Sequence, residues 1–406
     1  MRKVSLWRRL GTRVQLMIVC VLFFALGFMI VAAWHTQAGS SRSSGEFSFA
    51  FVDPTPTPIP TPAPEIMIPD WDDFFFAEID SRPFSFFTGL REYEENITRR
   101  PIAVVINNAF GAHPQSGIAE ADIIYEVLAE GRTTRLVAIF QSSIPDKIGP
   151  VRSARDHFVD FAFNHDAFFV HHGGSPSGYY RIRRLLGTNA IDGMRFEGTV
   201  FWRDRSFPYW METDARRSVE HSSYTGKEHL LEHIYSRGIR ERFEGDEAYW
   251  PGFGLRFGNV PSWLEPMQTD VSRVVIPFAN TIYTAFTLDS STGLYEVSHA
   301  RGPWIDENTR TQVNVANILV QHTAIHVVDN EGRRDVRTIG SGTGYLVRDG
   351  NVFSARWEKS SHTSPMRWFF EDGTPLVFAP GRTWINVLQT SAQPEFLTGI
   401  GEPYGV

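Results

Sequence analysis

Val14 to Ala33 is almost continuously apolar and carries no charge. At about 1.5 Å per residue, such a run spans a hydrocarbon core of roughly 30 Å. The pattern therefore predicts a transmembrane helix over 14–34, with Trp34 at the interface. Arg2, Lys3, Arg8, Arg9 and Arg13 precede it with no acid among them. That asymmetry keeps residues 1–13 cytoplasmic and puts the body outside. Two rival readings exist. A cleaved signal would end at Thr36-Gln37-Ala38, after an apolar run longer than signals use. Lipidation would use Cys20, where Ile18 and Val19 stand in place of the small residue required. Pro54 to Pro64 alternates Pro with Thr, Ile or Ala, which favours polyproline II at ~3.1 Å per residue. Residues 35–86 thus read as a stalk, ending in a Phe-rich stretch at 71–87 that reads as a strap packed on the first domain, with a sticky interface as the alternative.

Shorter apolar runs follow. Ile102 to Asn107 reads as a buried strand, and Gln115 to Glu120 as a helical turn. Asp122–Leu128 and Thr134–Gln141 read as a hairpin turning at Glu130-Gly131. Pro150 suits a first helical position, and Val151, Ala154, Phe158, Phe161 and Ala162 recur at helical spacing, predicting a helix over 151–163. Ala167 to His171 is a strand. The runs 134–141, 151–163 and 167–171 make a candidate βαβ unit with parallel strands. Ser175 and Pro176 open a further helix to Leu186. Thr225 and Glu228 have capping-box spacing, for a helix that Gly238 stops.

From Asn259 the pattern shifts to short alternating runs: 271–278, 281–288, 315–321, 325–328, 344–348, 352–357, 366–370 and 384–388. Asp349-Gly350 and Asp372-Gly373 are hairpin signals, and Pro277 marks an edge or strand end. The expected fold class is α+β / α/β. A mixed α/β domain covers 87–258, a β-rich sandwich or barrel-like domain covers 259–390, and 391–406 is a tail.

Composition narrows the function. The net charge is −7, and the N-terminal cations are set apart from the body, so the body is more acidic still. Nucleic-acid binding, which needs a basic footprint, is excluded as an expectation. The one cysteine, Cys20, permits no intrachain disulfide. No P-loop, nucleophile elbow or usual metal spacing occurs, so no cofactor and no metal are expected.

Arg152 and Arg155 fall near the start of the predicted helix, where the macrodipole disfavours cations. A compensating anion resolves that conflict, either internally, from Asp156 or Asp146, or as an external ligand. The Gly173-Gly174-Ser175 turn lies at the same expected sheet edge, where backbone N–H groups suit an anion. Ser153 and Ser175 read as caps or donors. Arg203 and Asp204 form a second polar cluster among aromatics, and His221 and Tyr224 sit on a later turn. His171 and His172 are adjacent on a strand and so face opposite ways. His171 and His221 are the acid–base candidates, weighed against plain hydrogen-bonded histidines.

Several strings fall in order: Phe87-Thr88-Gly89-Leu90, Arg100-Pro101-Ile102-Ala103-Val104, Pro114-Gln115-Ser116-Gly117, Ile148 to Arg155, His171 with Gly173-Gly174-Ser175, and Phe201-Trp202-Arg203-Asp204. Together they resemble the YerB-like family of bacterial envelope lipoproteins over about Phe87 to Leu388. The resemblance implies an N-terminal α/β-type domain, a C-terminal β-rich domain and an envelope location. Two features depart from it: the lipidation box is missing, and Ser222 stands where the family has Asn. The expectation is a single-pass bacterial membrane protein with an extracytoplasmic body that binds a phosphate- or carboxylate-bearing envelope ligand through Arg152, Arg155 and the Gly173–Ser175 turn. A hydrolase or transferase using His171 or His221, and a structural partner of other envelope proteins, are the alternatives.

Overall fold

Strand β1 (Ile102–Asn107) is buried at every position, as a short apolar run covered on both faces predicts. The computed structural model describes residues 82–242 and 255–399. The expected cytoplasmic tail, the span at 14–34, the stalk to residue 81 and residues 400–406 lie outside the described residues. Among the described residues no helix is long and apolar enough to cross a membrane.

The N-terminal half adds β2 (Ile123–Leu128), β3 (Thr134–Phe140), β4 (Phe168–His171), β5 (Ala190–Asp192), β6 (Trp202–Arg203) and β7 (Ser223–Tyr224). After β8 (Arg256–Phe257) come β9 (Val271–Ala279), β10 (Ile282–Asp289), β11 (Leu294–His299), β12 (Gly302–Pro303) and β13 (Asn314–Val315). The remaining strands are β14 (Asn317–Thr323), β15 (Ile325–Val327), β16 (Arg334–Val336), β17 (Gly340–Arg348), β18 (Asn351–Lys359), β19 (Arg367–Phe370), β20 (Val377–Phe378), β21 (Thr383–Gln389) and β22 (Glu395–Thr398).

One ten-stranded sheet runs in the order β19-β18-β17-β14-β21-β2-β3-β1-β4-β5. Its central seam is β21, which pairs in parallel with β14 on one side and β2 on the other. Main-chain hydrogen bonds therefore join the two halves of the chain into one sheet. A smaller sheet, β12-β11-β10-β9-β22, covers one face. The period-two alternation of the large sheet sorts its side chains between two cores. Val104, Ile106, Leu136, Ala138 and Trp384 pack with Val274, Ile276 and Phe286 of the small sheet. Val105, Tyr125, Val137 and Phe169 pack on the other face with Phe158, Phe161 and Ile182 of two helices, Asp156–Phe163 and Pro176–Leu185. Tyr125 stacks on Phe161 with ring centroids 4.6 Å apart. Phe87, at the end of the expected strap, is buried in that second core.

The β2–β3 hairpin forms as expected. Asp349 and Gly350, at φ +50° and +73°, make the two-residue turn between β17 and β18, with Arg348 opposite Asn351. Both central residues at positive φ are what a type I′ hairpin requires. Ser175 caps its helix, its Oγ accepting the Gly178 N–H at 3.0 Å. The mixed α/β character of the N-terminal region and the β-rich character of the C-terminal region are both present.

Three local expectations are corrected. The βαβ unit expected over 134–141, 151–163 and 167–171 is not formed. β3 is antiparallel to β1, β1 is parallel to β4, and β1 separates the two. The true parallel unit lies one step later, β4–helix–β5 around Pro176–Leu185. Periodicity identifies strands but not neighbours, and the tight hairpin has already committed β3 to β2.

The helix expected over 151–163 begins only at Asp156, with Arg155 as its N-cap residue. Residues 149–154 are extended, after a cis Gly149–Pro150 bond. Val151 donates to the Ser223 carbonyl at 2.6 Å, Arg152 to Val105 at 2.8 Å and Ala154 to Gly173 at 2.9 Å. The Arg152 carbonyl accepts from His172 at 3.0 Å. A helix from residue 150 would forfeit these bonds on both sides.

The capping box at Thr225 is also absent. The helix Lys227–Ser236 starts after Gly226, and Thr225 Oγ1 donates to the Val200 carbonyl at 2.9 Å. A Cβ on Gly226 would lie 1.9 Å from the Asp146 carbonyl oxygen, so this close crossing needs glycine.

Candidate functional site at the carboxyl edge of β1 and β4

β1 and β4 are parallel, so their carboxyl ends share one edge. They pair only up to Val104 and Val170. Beyond that point the extended 149–154 segment inserts between them, bonded to Val105 on one side and His172 on the other. Open sheets place ligands where neighbouring strands part in this way.

Arg152 is half-buried in this gap. Among the described residues its guanidinium makes no ion pair and no hydrogen bond. Burial holds it below its ordinary pKa; Glu220 opposes that effect and Arg203 adds to it. Ser153 Oγ is likewise without a hydrogen-bond partner among the described residues.

Arg155 has a different environment. It is buried and paired with Glu130, and its Nη1 donates to the Ala154 carbonyl at 2.6 Å. Arg135 meets the same Glu130 at 2.6 Å and donates to the Ser153 carbonyl at 2.9 Å. Glu130 therefore clamps two arginines, and Arg155 is a structural cation.

Two N–H groups of the glycine turn are internally satisfied. Gly173 N–H donates to Asp192 Oδ1 at 2.9 Å, and Ser175 N–H donates to the Ala154 carbonyl at 3.1 Å. A Cβ on Gly174 would come within 3.4 Å of Ala154 Cβ and 3.3 Å of the Tyr179 ring. The glycines serve close packing of the Arg-bearing segment against the turn.

His171 is buried, with Nδ1 2.8 Å from the Gly173 carbonyl and 3.7 Å from Asp192. Burial is the main cause lowering its pKa. Its neighbour His172 faces the other way, with Nε2 2.9 Å from Arg203 and 3.0 Å from Glu197. Arg203 also pairs with Glu197, holds that carboxyl down at about 2, and donates to the Val219 carbonyl at 2.8 Å. Asp204 belongs to a chain of alternating charges through Lys147 (2.9 Å), Glu307 (2.7 Å) and Arg217 (2.9 Å). Tyr224 is fully buried, with Lys147 4.4 Å and Arg217 5.8 Å from its ring centre. Burial raises its phenol well above the ordinary range.

His221 is brought to Arg152 by β1. Asn107, the last residue of β1, donates its amide to His221 Nδ1 at 2.6 Å and to the Glu220 carbonyl at 3.3 Å. The Asn107 Oδ1 accepts from Ala109 N–H at 3.0 Å, which fixes the amide orientation. His221 is thus neutral, with its proton on Nε2. Burial lowers its pKa most; Glu220 opposes this and Arg152 adds to it.

Of the expected residues, the fold unites Arg152, Ser153, Arg203 and His221 around the edge. It commits Arg155, Gly173, Ser175, Asp204 and Tyr224 to packing and internal pairing, and it buries His171 beneath the turn. Asn107 and Glu220 were missed in the sequence, and His172 was read as facing away from His171 but was not made a candidate; the only signal for Asn107 was a polar residue closing an apolar strand. The arrangement can bind an anion and move a proton at His221 Nε2. Among the described residues no group of three His, Cys, Asp or Glu could hold a metal ion.

Comparison with known proteins agrees with this architecture. Residues 87–240 match the N-terminal domain of the protein of unknown function family DUF3048, and residues 274–385 match its C-terminal domain. The chain is 34% identical over 306 residues to "Putative lipoprotein YerB" of Bacillus subtilis (strain 168), covering 74% of this chain and 85% of the relative. It also superposes on the crystal structure of the YerB protein from Bacillus subtilis with a TM-score of 0.65 at 32% identity, covering 77% of this chain and all of that one. With its two halves matching in order, this chain belongs to the DUF3048 family.

Proposed function

We propose that this chain is a bacterial envelope protein tethered to the membrane, whose extracytoplasmic body binds an anionic envelope molecule at the carboxyl edge of β1 and β4. The relative's description as a lipoprotein and the apolar 14–34 run both support tethering. The observation that carries the ligand reading is Arg152: a half-buried guanidinium with no ion pair or hydrogen bond among the described residues, beside Arg203 and His221. An arginine so placed favours a phosphate or carboxylate, which it can grip through two parallel bonds.

Calorimetric titration of the full-length chain in detergent with inorganic phosphate, poly(glycerol phosphate) and a polyprenyl phosphate tests the reading. Binding by the wild type that weakens about tenfold or more in Arg152→Ala supports it. Equal binding by both proteins overturns it. The neutral imidazole of His221 beside Arg152 favours a second reading, transfer or hydrolysis of a group on that ligand. It predicts product release that His221→Asn abolishes while leaving binding intact.

A further inference from the structure

A second site lies between the two sheets, lined in part by the 108–113 loop and not by Arg152. It is a cleft of about 390 Å³ whose lining includes Phe110, Tyr283, Thr284, His299, Arg301 and Trp304, with Glu126 of β2 at its base. That volume falls within the range of about 300–1,000 Å³ typical of small-molecule sites. It is built by the fold: β2 supplies the base, β10 and β11 of the small sheet supply one wall, and the loop after β1 supplies the other.

Glu126 is buried and meets no cation among the described residues. Its Oε1 accepts from Thr134 Oγ1 at 2.8 Å and Asn108 Nδ2 at 3.2 Å. Its Oε2 accepts from Thr284 Oγ1 at 2.8 Å and Trp384 Nε1 at 3.1 Å. Above about pH 7, where Glu126 is ionised, its two carboxylate oxygens offer about four acceptor positions, so all are filled and it cannot accept a bond from a guest. Its work is to orient neighbours. Because Thr284 spends its proton on the ionised Glu126, its oxygen can serve a guest only as an acceptor. His299 Nδ1 accepts the Arg301 backbone N–H at 3.1 Å, which leaves Nε2–H as a donor. Its ring is neutral, since burial first and Arg301 second lower its pKa.

The Arg301 guanidinium lies over the Phe110 ring, 3.4 Å from its centre, with no ion pair among the described residues. A cationic guest is thus disfavoured: Glu126 has no acceptor free and Arg301 repels it. The ring of Trp304 is fixed by its Nε1 bond to Gln115 at 3.0 Å, and it packs edge-on to Trp384 at 5.1 Å. Trp304 is buried behind the wall, so the accessible rings are half-buried Tyr283 and the exposed Phe110, and these with a fixed acceptor, a fixed donor and further threonine hydroxyls match one kind of guest. A pyranose ring has an apolar C–H face to lie on aromatic rings and a rim of hydroxyls that both donate and accept.

We propose that this cleft binds a pyranose unit of a glycan, with Thr284 accepting from and His299 donating to its hydroxyls and an aromatic ring against its apolar face. The site is independent of the Arg152 edge.

Titration of the full-length chain with neutral oligosaccharides of N-acetylglucosamine, glucose and galactose, followed by tryptophan fluorescence and calorimetry, tests it. Trp304 lines the cleft and reports on it. The expected result is saturable binding of at least one saccharide, about tenfold weaker in His299→Ala and in Tyr283→Ala, within about threefold of wild type in His299→Gln, which keeps a donor, and unchanged in Arg152→Ala. The proposal is overturned by no binding from any of the three series, by equal binding in wild type, His299→Ala and Tyr283→Ala, or by choline binding in preference to sugar. Thermal unfolding of each variant identifies loss of fold. Should either alanine variant be unfolded, the His299→Gln result and the choline competition still decide.

Discussion

At the sheet edge, charge is met by opposite charge, whereas in the cleft between the sheets it is met by neutral donors. Arg155 and Arg135 converge on Glu130, Arg203 pairs with Glu197, and Asp204 joins Lys147 and Glu307. Glu126 instead is held by two threonines, an asparagine and a tryptophan. An ion pair occupies both partners, so the edge's free cationic capacity among the described residues lies in Arg152. A carboxylate satisfied by hydroxyls passes its directionality on, so the cleft's free capacity lies in the groups that Glu126 orients. The same distinction separates Arg152 from Arg155, three residues apart on one segment.

The contrast can be broken most sharply at Glu126. Glu126→Leu strands three buried donors, those of Thr134, Thr284 and Trp384, and chemical denaturation should record a loss of about 4 kcal/mol, since each orphaned buried group costs about 1–3 kcal/mol. A loss below about 1 kcal/mol would show that those donors find other partners or water.

Next in size is a pH effect inside the cleft. Burial lowers His113 from 6.5 to about 3. Below pH 6.5 the unfolded chain takes up a proton that the folded His113 refuses, so stability falls as pH drops from 6.5 toward 3. From pH 6.5 to 4 that amounts to about 3 kcal/mol, at roughly 1.4 kcal/mol per pH unit. Glu126, raised by burial to about 7, has the opposite sign. Its folded form holds a proton that the unfolded chain has released, so its contribution favours folding as pH falls from 7 toward 4.5. Stability measured from pH 7 to 4 should therefore decline less steeply in His113→Gln than in wild type, and more steeply in Glu126→Gln. Identical slopes in all three proteins would remove both assignments.

Smaller again, Arg155→Ala should cost about 2 kcal/mol, because it removes a buried guanidinium that holds both Glu130 and the Ala154 carbonyl. Arg152→Ala should leave the unfolding free energy within about 0.5 kcal/mol, as expected for a side chain without a structural partner. The two substitutions read together sharpen the division. If Arg152→Ala destabilised as much as Arg155→Ala, Arg152 would have a structural partner beyond those seen among the described residues.

Legibility followed the range of the interactions. β1, the β2–β3 hairpin, the Ser175 cap and the Asp349-Gly350 turn were readable because each is decided within a few residues, by alternation, by a side chain reaching its own helix, or by two residues accepting positive φ. The Gly149–Ala154 stretch misled for the same reason. Its helical spacing is real locally, but main-chain bonds to Val105, His172, Gly173 and Ser223 outweigh it. Arg152 and His221 were legible as residue types with suitable chemistry. That Asn107 would orient one beside the other was not, since 114 positions separate Asn107 from His221. The cleft left no trace in the local pattern, because Glu126 looks like one polar residue in an apolar strand until Thr284 and Trp384 arrive from 158 and 258 positions away.

By itself, the sequence determined where the tightest turns fall, that arginines and histidines accompany the Gly149–Arg155 string, and many of the strands, though not β5, β11 or β22. Only the tertiary structure decided that β21 would sew the two halves into one sheet, that Arg155 would be neutralised while Arg152 stayed free, and that a carboxyl in β2 would become the base of a cleft. Local preferences act through bonds between near neighbours. The choice of partner across a sheet is made by burial and hydrogen bonding summed over residues that the chain brings together only when it folds.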